Sequence, residues 1–169
     1  MPDTAHRVEV LHGVNLDMLG RRDPALYGTL TLPDLQQRIE GYAAELGGLR
    51  LGFFQSNFEG ELVQRLHRLR GQADGIVINA GAWSHYAWAL RDALEIAACP
   101  AVEVHLSDVK AREPWRRVSI FDGLCLASVS GHGAEGYRVA LARLRDALDG
   151  AGAGAADAPA PPAEERGER

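Results

Sequence analysis

The sequence predicts a doubly wound α/β domain built on a parallel sheet. Short apolar, β-rich runs alternate with helix-length segments, the pattern of strands covered by helices on both faces. Five such runs suit a flavodoxin-like five-stranded sheet with strand order 2-1-3-4-5. Each run ends in polar residues, at the carboxyl edge where open α/β sheets take their ligands. No Walker loop or glycine-rich dinucleotide turn follows the first run, so a nucleotide site is not indicated.

Val8 to Leu11 is the first strand and ends at the turn His12-Gly13-Val14-Asn15. Residues 16–28, with Gly20, Pro24 and Gly28, read as a long loop and not a helix. Thr31 is an N-cap, with Asp34 at the third helical position and Pro33 in the first turn. Leu32, Leu35, Ile39, Tyr42 and Leu46 continue as a helical stripe that Gly47-Gly48 stops. The second strand, residues 49–54, runs into Gln55-Ser56-Asn57. A helix from about Glu59 to Leu69 puts Leu62, Leu66 and Leu69 on one face. Gly75 to Ile78 is the third strand, ending at Asn79-Ala80-Gly81, and Ser84-His85 opens a helix to about Ala98. Pro100 precedes the strand that holds Glu103 to Ser107. A loop with Arg112, Arg116 and Arg117 follows, then a strand from about Leu124 to Val129. Gly131 and Gly133 lead into a helix with Tyr137, Ala140, Leu141, Leu144 and Leu148.

The 169 residues divide into one domain, 1–148, and a tail, 149–169, rich in Ala, Gly and Pro and without apolar period; the tail is expected to be disordered. A domain of this size buries about 70% of its unfolded surface. Eighteen basic against 23 acidic residues give a net charge of −5, which argues against non-specific nucleic-acid binding but not against a small anionic ligand held by local arginines. Cys99 and Cys125 lie far apart in apolar surroundings and read as free, buried thiols. The first residues carry no apolar signal core and no run approaches a membrane span, so the expectation is a cytoplasmic enzyme or binding protein.

Glu103 and His105 share parity on one strand, so their side chains face the same way. A carboxylate beside an imidazole fixes its tautomer, which suits a positioned general acid; a buried structural ion pair would look the same. In the long loop, Arg21 and Arg22 stand close to Tyr27. Guanidinium neighbours favour a phenolate, though a solvated basic loop anchored by a tyrosine fits as well. Asn79 and His85 would flank a ligand at the edge of the third strand, or merely cap a turn and a helix. Asn15, Arg22, Tyr27, Asn57, Asn79, His85, His105, Ser107 and Arg116 all fall just after strands and would converge on one crevice.

Six stretches together resemble the type II 3-dehydroquinate dehydratases: LGRRDPALYG (19–28), QSNFEGEL (55–62), DGIVINAGAWSH (74–85), ALRDAL (89–94), VEVHLSDVKAREPWR (102–116) and GYRVALARL (136–144). The likeness spans about residues 8–148 in order and spacing. It implies a trans elimination of water from 3-dehydroquinate, giving 3-dehydroshikimate in the route to aromatic amino acids, with neither metal nor organic cofactor. Carried over by motif, Tyr27 is the base for the C2 proton, Arg22 stabilises its charge, and both ride on a mobile lid. Asn15 holds a water that stabilises the developing enolate. His105 protonates the departing C1 hydroxyl and Glu103 orients it. The backbone at Leu106, with Ser107 and Asn79, holds the substrate carboxylate, while His85 and Arg116 hold ring hydroxyls. Asp92 reaches a neighbouring subunit's site in a dodecamer built from trimers.

The chain also departs from the family. His12-Gly13-Val14-Asn15 stands for Asn-Gly-Pro-Asn, and Phe58 stands for a histidine after the QSN element. Trp83, Tyr86 and Trp88 surround His85 in place of small residues; Arg117-Val118-Ser119-Ile120, Asp122-Gly123 and His132 depart further on. These leave every catalytic group in place. They open two alternatives: a lyase acting on a modified dehydroquinate, and a flavodoxin-like binding module without activity.

Overall fold

In the computed structural model, which describes residues 5–156, the strands form one parallel sheet in the order β2-β1-β3-β4-β5. They are β1 (His6–His12), β2 (Leu49–Gln55), β3 (Gly75–Asn79), β4 (Ala101–His105) and β5 (Ala127–Ser130). The helices are α1 (Pro24–Tyr27), α2 (Leu32–Leu46), α3 (Glu59–Leu69), α4 (Trp88–Ala97) and α5 (Glu135–Ala156). Alternate side chains of the strands feed two cores. Val8, Val10, Val77, Val102 and Val104 pack under α2 and α5, whereas Leu11, Ile76 and Ile78 pack under α3 and α4. β3 and β4 are buried at every position, which is why their sequences run apolar without alternation.

Local signals explain the helices. The Thr31 hydroxyl oxygen accepts the Asp34 N–H, and the Asp34 carboxylate accepts the Thr31 N–H at 3.1 Å, a reciprocal cap on α2. α3 buries Leu62, Leu66 and Leu69, each worth roughly 1.5–3 kcal/mol against exposure. Beneath α3, the carboxylate of Glu9 on β1 is buried and paired with Arg65. Among the described residues no helix is long and apolar enough to cross a membrane.

Five expectations change. The segment 16–28 is not all loop: Leu16–Met18 forms a 3-10 turn, and α1 forms because Asp23 caps it, its Oδ1 accepting the Ala25 N–H at 2.9 Å with Pro24 in the first turn. Ser84-His85 does not open an α-helix. Gly81–His85 is a 3-10 turn seated on buried Trp83, and α4 begins only at Trp88, after Ala87 leaves helical geometry. The last strand is Ala127–Ser130, because Phe121 to Leu126 turns before joining the sheet edge. α5 runs past Asp149 to Ala156, its alanines carrying on a helix already begun despite the glycines between them; the remainder of the tail lies outside the described residues. Cys99 and Cys125 are free but half-buried; burial pushes their thiols up to about 11 and about 12, which leaves them unreactive near neutrality.

Candidate active site

The carboxyl ends of β1, β3 and β4 open into a cavity of about 100 Å³. Asn15, Arg22, Tyr27, Asn79, His85, His105, Leu106, Ser107 and Arg116 line it, all from the sequence-predicted set. Asp92, Glu103 and Asn57 do not: Asp92 is exposed on α4, Glu103 is buried and bonded to His105, and Asn57 is bonded to the Asn15 backbone. A larger cleft of about 690 Å³ lies behind Tyr27, but none of Asn15, His85 or His105 lines it, so the chemistry belongs to the smaller space.

One wall is β4. Glu103 and His105 emerge on one side of the strand, and His105 Nε2 lies 2.8 Å from Glu103 Oε1. The Ser119 hydroxyl reaches both Glu103 oxygens at 2.9 Å. Burial would raise the Glu103 carboxyl, but bonds from His105, Ser119 and Ser128 outweigh it and hold the group below its ordinary value. Glu103 is thus an anion that fixes His105 Nε2–H, leaving Nδ1 to exchange a proton with a ligand. His85 stacks on His105 at 5.9 Å between ring centres and donates Nδ1–H to the Val118 carbonyl at 2.6 Å. Burial lowers the His85 ring, so it is neutral and offers Nε2 as an acceptor. Trp115 stands edge-on to His85, and Arg116 lies over Trp115 while its Nε donates to Glu113 at 2.7 Å.

A second part of the lining comes from α1. The Tyr27 oxygen accepts N–H bonds from Arg22 and from Arg112, each at 2.9 Å. The same Arg112 nitrogen lies 3.2 Å from Ser107 Oγ and so ties α1 to the end of β4. Both donors are cationic, so positive charge converges on the Tyr27 oxygen. From sequence Arg112 is only a loop residue, because nothing local places it against a tyrosine 85 positions earlier. Arg21, grouped with Arg22 from sequence, is exposed and outside the cavity.

The floor is the turn after β1. Asn15 holds a left-handed conformation with φ 68°, and its N–H donates to Asn57 Oδ1 at 2.8 Å. Asn57 also donates to Asp17 at 2.9 Å, so the QSN element braces the turn. Trp83, Tyr86 and Trp88, the bulky departures around His85, do not line the cavity: Trp83 is buried in the α3/α4 core, and the other two face outward.

A phenol oxygen under two guanidiniums, sharing a cavity with a carboxylate-held imidazole, is an acid–base pair for adding or removing a small molecule across adjacent carbons. Fold and pocket together define a doubly wound α/β protein with the equipment of a lyase. The chain belongs to the dehydroquinase class II family, whose model matches residues 6–145. It is 44% identical over 144 residues to the 3-dehydroquinate dehydratase of Pelobacter propionicus, covering 85% of this chain and 96% of the relative. It is 49% identical over 136 residues to the 3-dehydroquinate dehydratase of Thermotoga neapolitana, covering 80% and 92%. Among solved structures it resembles the type II dehydroquinase from Propionibacterium acnes, with TM-score 0.79 and 38% identity over 85% of this chain and 98% of that one.

Proposed function

We propose that this chain is a 3-dehydroquinate dehydratase, a hydro-lyase of the shikimate route that converts 3-dehydroquinate to 3-dehydroshikimate. The observation that carries the reading is the Tyr27 oxygen under Arg22 and Arg112, in one cavity with the Glu103-held His105. A C–H beside a ketone is weakly acidic, so its removal needs a strong base and a stabilised enolate. Tyrosinate at Tyr27 takes the C2 proton, and the electron pair moves into the C2–C3 bond as the ketone becomes an enolate. A water held by Asn15 donates to that enolate oxygen. As the enolate collapses, the C1–oxygen bond breaks, and His105 Nδ1–H protonates the leaving hydroxyl to give water. The Leu106 backbone, Ser107 and Asn79 hold the carboxylate; His85 Nε2 and Arg116 hold ring hydroxyls. Base and acid line one cavity, within which both ends of the elimination can be served.

The enzyme works in the cytoplasm as a dodecamer built from trimers, and Asp92 completes a neighbour's site. The modified-substrate alternative loses ground because the bulky aromatic departures stand outside the cavity. The binding-module alternative leaves both acid–base assemblies without purpose. The test is absorbance at the enone band of 3-dehydroshikimate after adding 3-dehydroquinate. Wild type should give a rise that Tyr27→Phe and His105→Ala abolish; equal rates in all three would sink the assignment.

A further inference from the structure

The elimination makes no use of His12, yet few side chains are placed more tightly. β1 and β3 are in register so that His12 lies beside Asn79. Both face α5, where the Tyr137 hydroxyl lies 3.0 Å from His12 Nε2 and 3.0 Å from Asn79 Nδ2. His12 and Tyr137 are fully buried and Asn79 is 3% exposed.

Hydrogen counting sets the direction of each bond. An amide nitrogen only donates, so the Tyr137 oxygen accepts from Asn79. Burial keeps Tyr137 protonated, and its own O–H then needs an acceptor. His12 Nε2 is the one at hand, so neutral His12 carries its hydrogen on Nδ1, which is buried with no partner among the described residues. Asn79 Oδ1 accepts the Gly81 N–H at 3.3 Å. With its oxygen on Gly81 and one N–H on Tyr137, the amide has a single orientation. Its second N–H is left for the cavity that Asn79 lines.

We infer that His12 and Tyr137 are positioning residues that lock the Asn79 amide so that an N–H, and never its carbonyl, meets the carboxylate of the ligand. This rests on the reading above that Asn79 holds that carboxylate. An unlocked amide spends part of its time presenting oxygen to an anion, which weakens binding in ground and transition states alike. The signature is therefore a change in KM with little change in kcat.

Tyr137→Phe and His12→Leu each raise KM about tenfold with kcat held within about twofold, the scale of one lost hydrogen bond to a charged group. The double variant costs little more than either alone, because both break one chain of bonds. His12→Asn, whose amide oxygen can accept the Tyr137 O–H, recovers most of the loss seen in His12→Leu. Neutron diffraction of the wild type shows hydrogen on His12 Nδ1 and the Tyr137 O–H directed at Nε2. Hydrogen on Nε2, an unchanged KM in Tyr137→Phe, or a fall in kcat at constant KM each overturns the inference. The neutron map needs neither turnover nor a variant that folds. A wild type that does not dehydrate 3-dehydroquinate would refute the functional reading, while the lock would still stand or fall by its hydrogens.

Discussion

Replacing His12 with asparagine should change how stability depends on pH. Burial pushes the His12 ring from its ordinary 6.5 down to about 4. Between those values the unfolded chain binds a proton at His12 that the folded protein refuses, so stability falls as pH falls. The contribution is intact above about pH 6.5 and lost below about pH 4. At 1.36 kcal/mol per pH unit, the interval amounts to about 3 kcal/mol, of which about 2.5 is gone by pH 4.5. No discount for solvent screening applies, because the ring has no exposure. Asp34, Asp74, Glu103 and Glu113 are held below the ordinary carboxyl range and also lose stability on acidification. They do so in wild type and variant alike and cancel in the difference. The assay is urea unfolding of both proteins from about pH 7 to about pH 4.5, at one protein concentration so that assembly does not enter. The curves should diverge by roughly 2–3 kcal/mol at the acid end. Parallel curves would show that His12 is not held as a buried neutral ring, and the reasoning would fail.

Arg112→Met should lower kcat about 10–100-fold by removing one charged donor from the Tyr27 oxygen, measured as initial rates of enone formation. Glu103→Gln keeps the shape but removes the charge that fixes His105; kcat should fall about 100-fold or more, and the basic limb of the pH–rate profile should move. Ser119→Ala, which strips one donor from Glu103, should cost less than about tenfold in the same assay. Thr31→Ala opens the α2 cap and should cost about 1 kcal/mol in urea unfolding while leaving kcat unchanged.

What was legible in the sequence was whatever is set by near neighbours. Thr31 and Asp34 sit three residues apart, so their reciprocal cap could be read directly. Glu103 and His105 share one strand, so parity alone put them on one face. The strand order followed from alternating elements, and the placement of polar residues after strands gave the cavity wall. What was hidden was set by tertiary return of the chain. Arg112 meets Tyr27 only because the loop after β4 folds back over α1. His12 meets Tyr137 across 125 positions, and no periodicity links them. The helix at 24–27 could have been found, since Asp23-Pro24 is a start signal, but glycines on both sides masked it. The bulky residues at 83, 86 and 88 looked like neighbours of His85; the 3-10 turn swings them away from the cavity.

The capped helix α1 also changes how distant mutations will act on the base. Segment 20–28 is bracketed by Gly20 and Gly28, whose φ values of 85° and 72° belong to the left-handed region. Between them, Asp23 and Pro24 make the tyrosine's support a short stiff arm. A rotation at either glycine is delivered to the Tyr27 oxygen at the arm's full length, with little bending to absorb it. Sequence change at these two pivots would therefore be felt as mis-aim of the proton acceptor, at positions that touch no ligand at all.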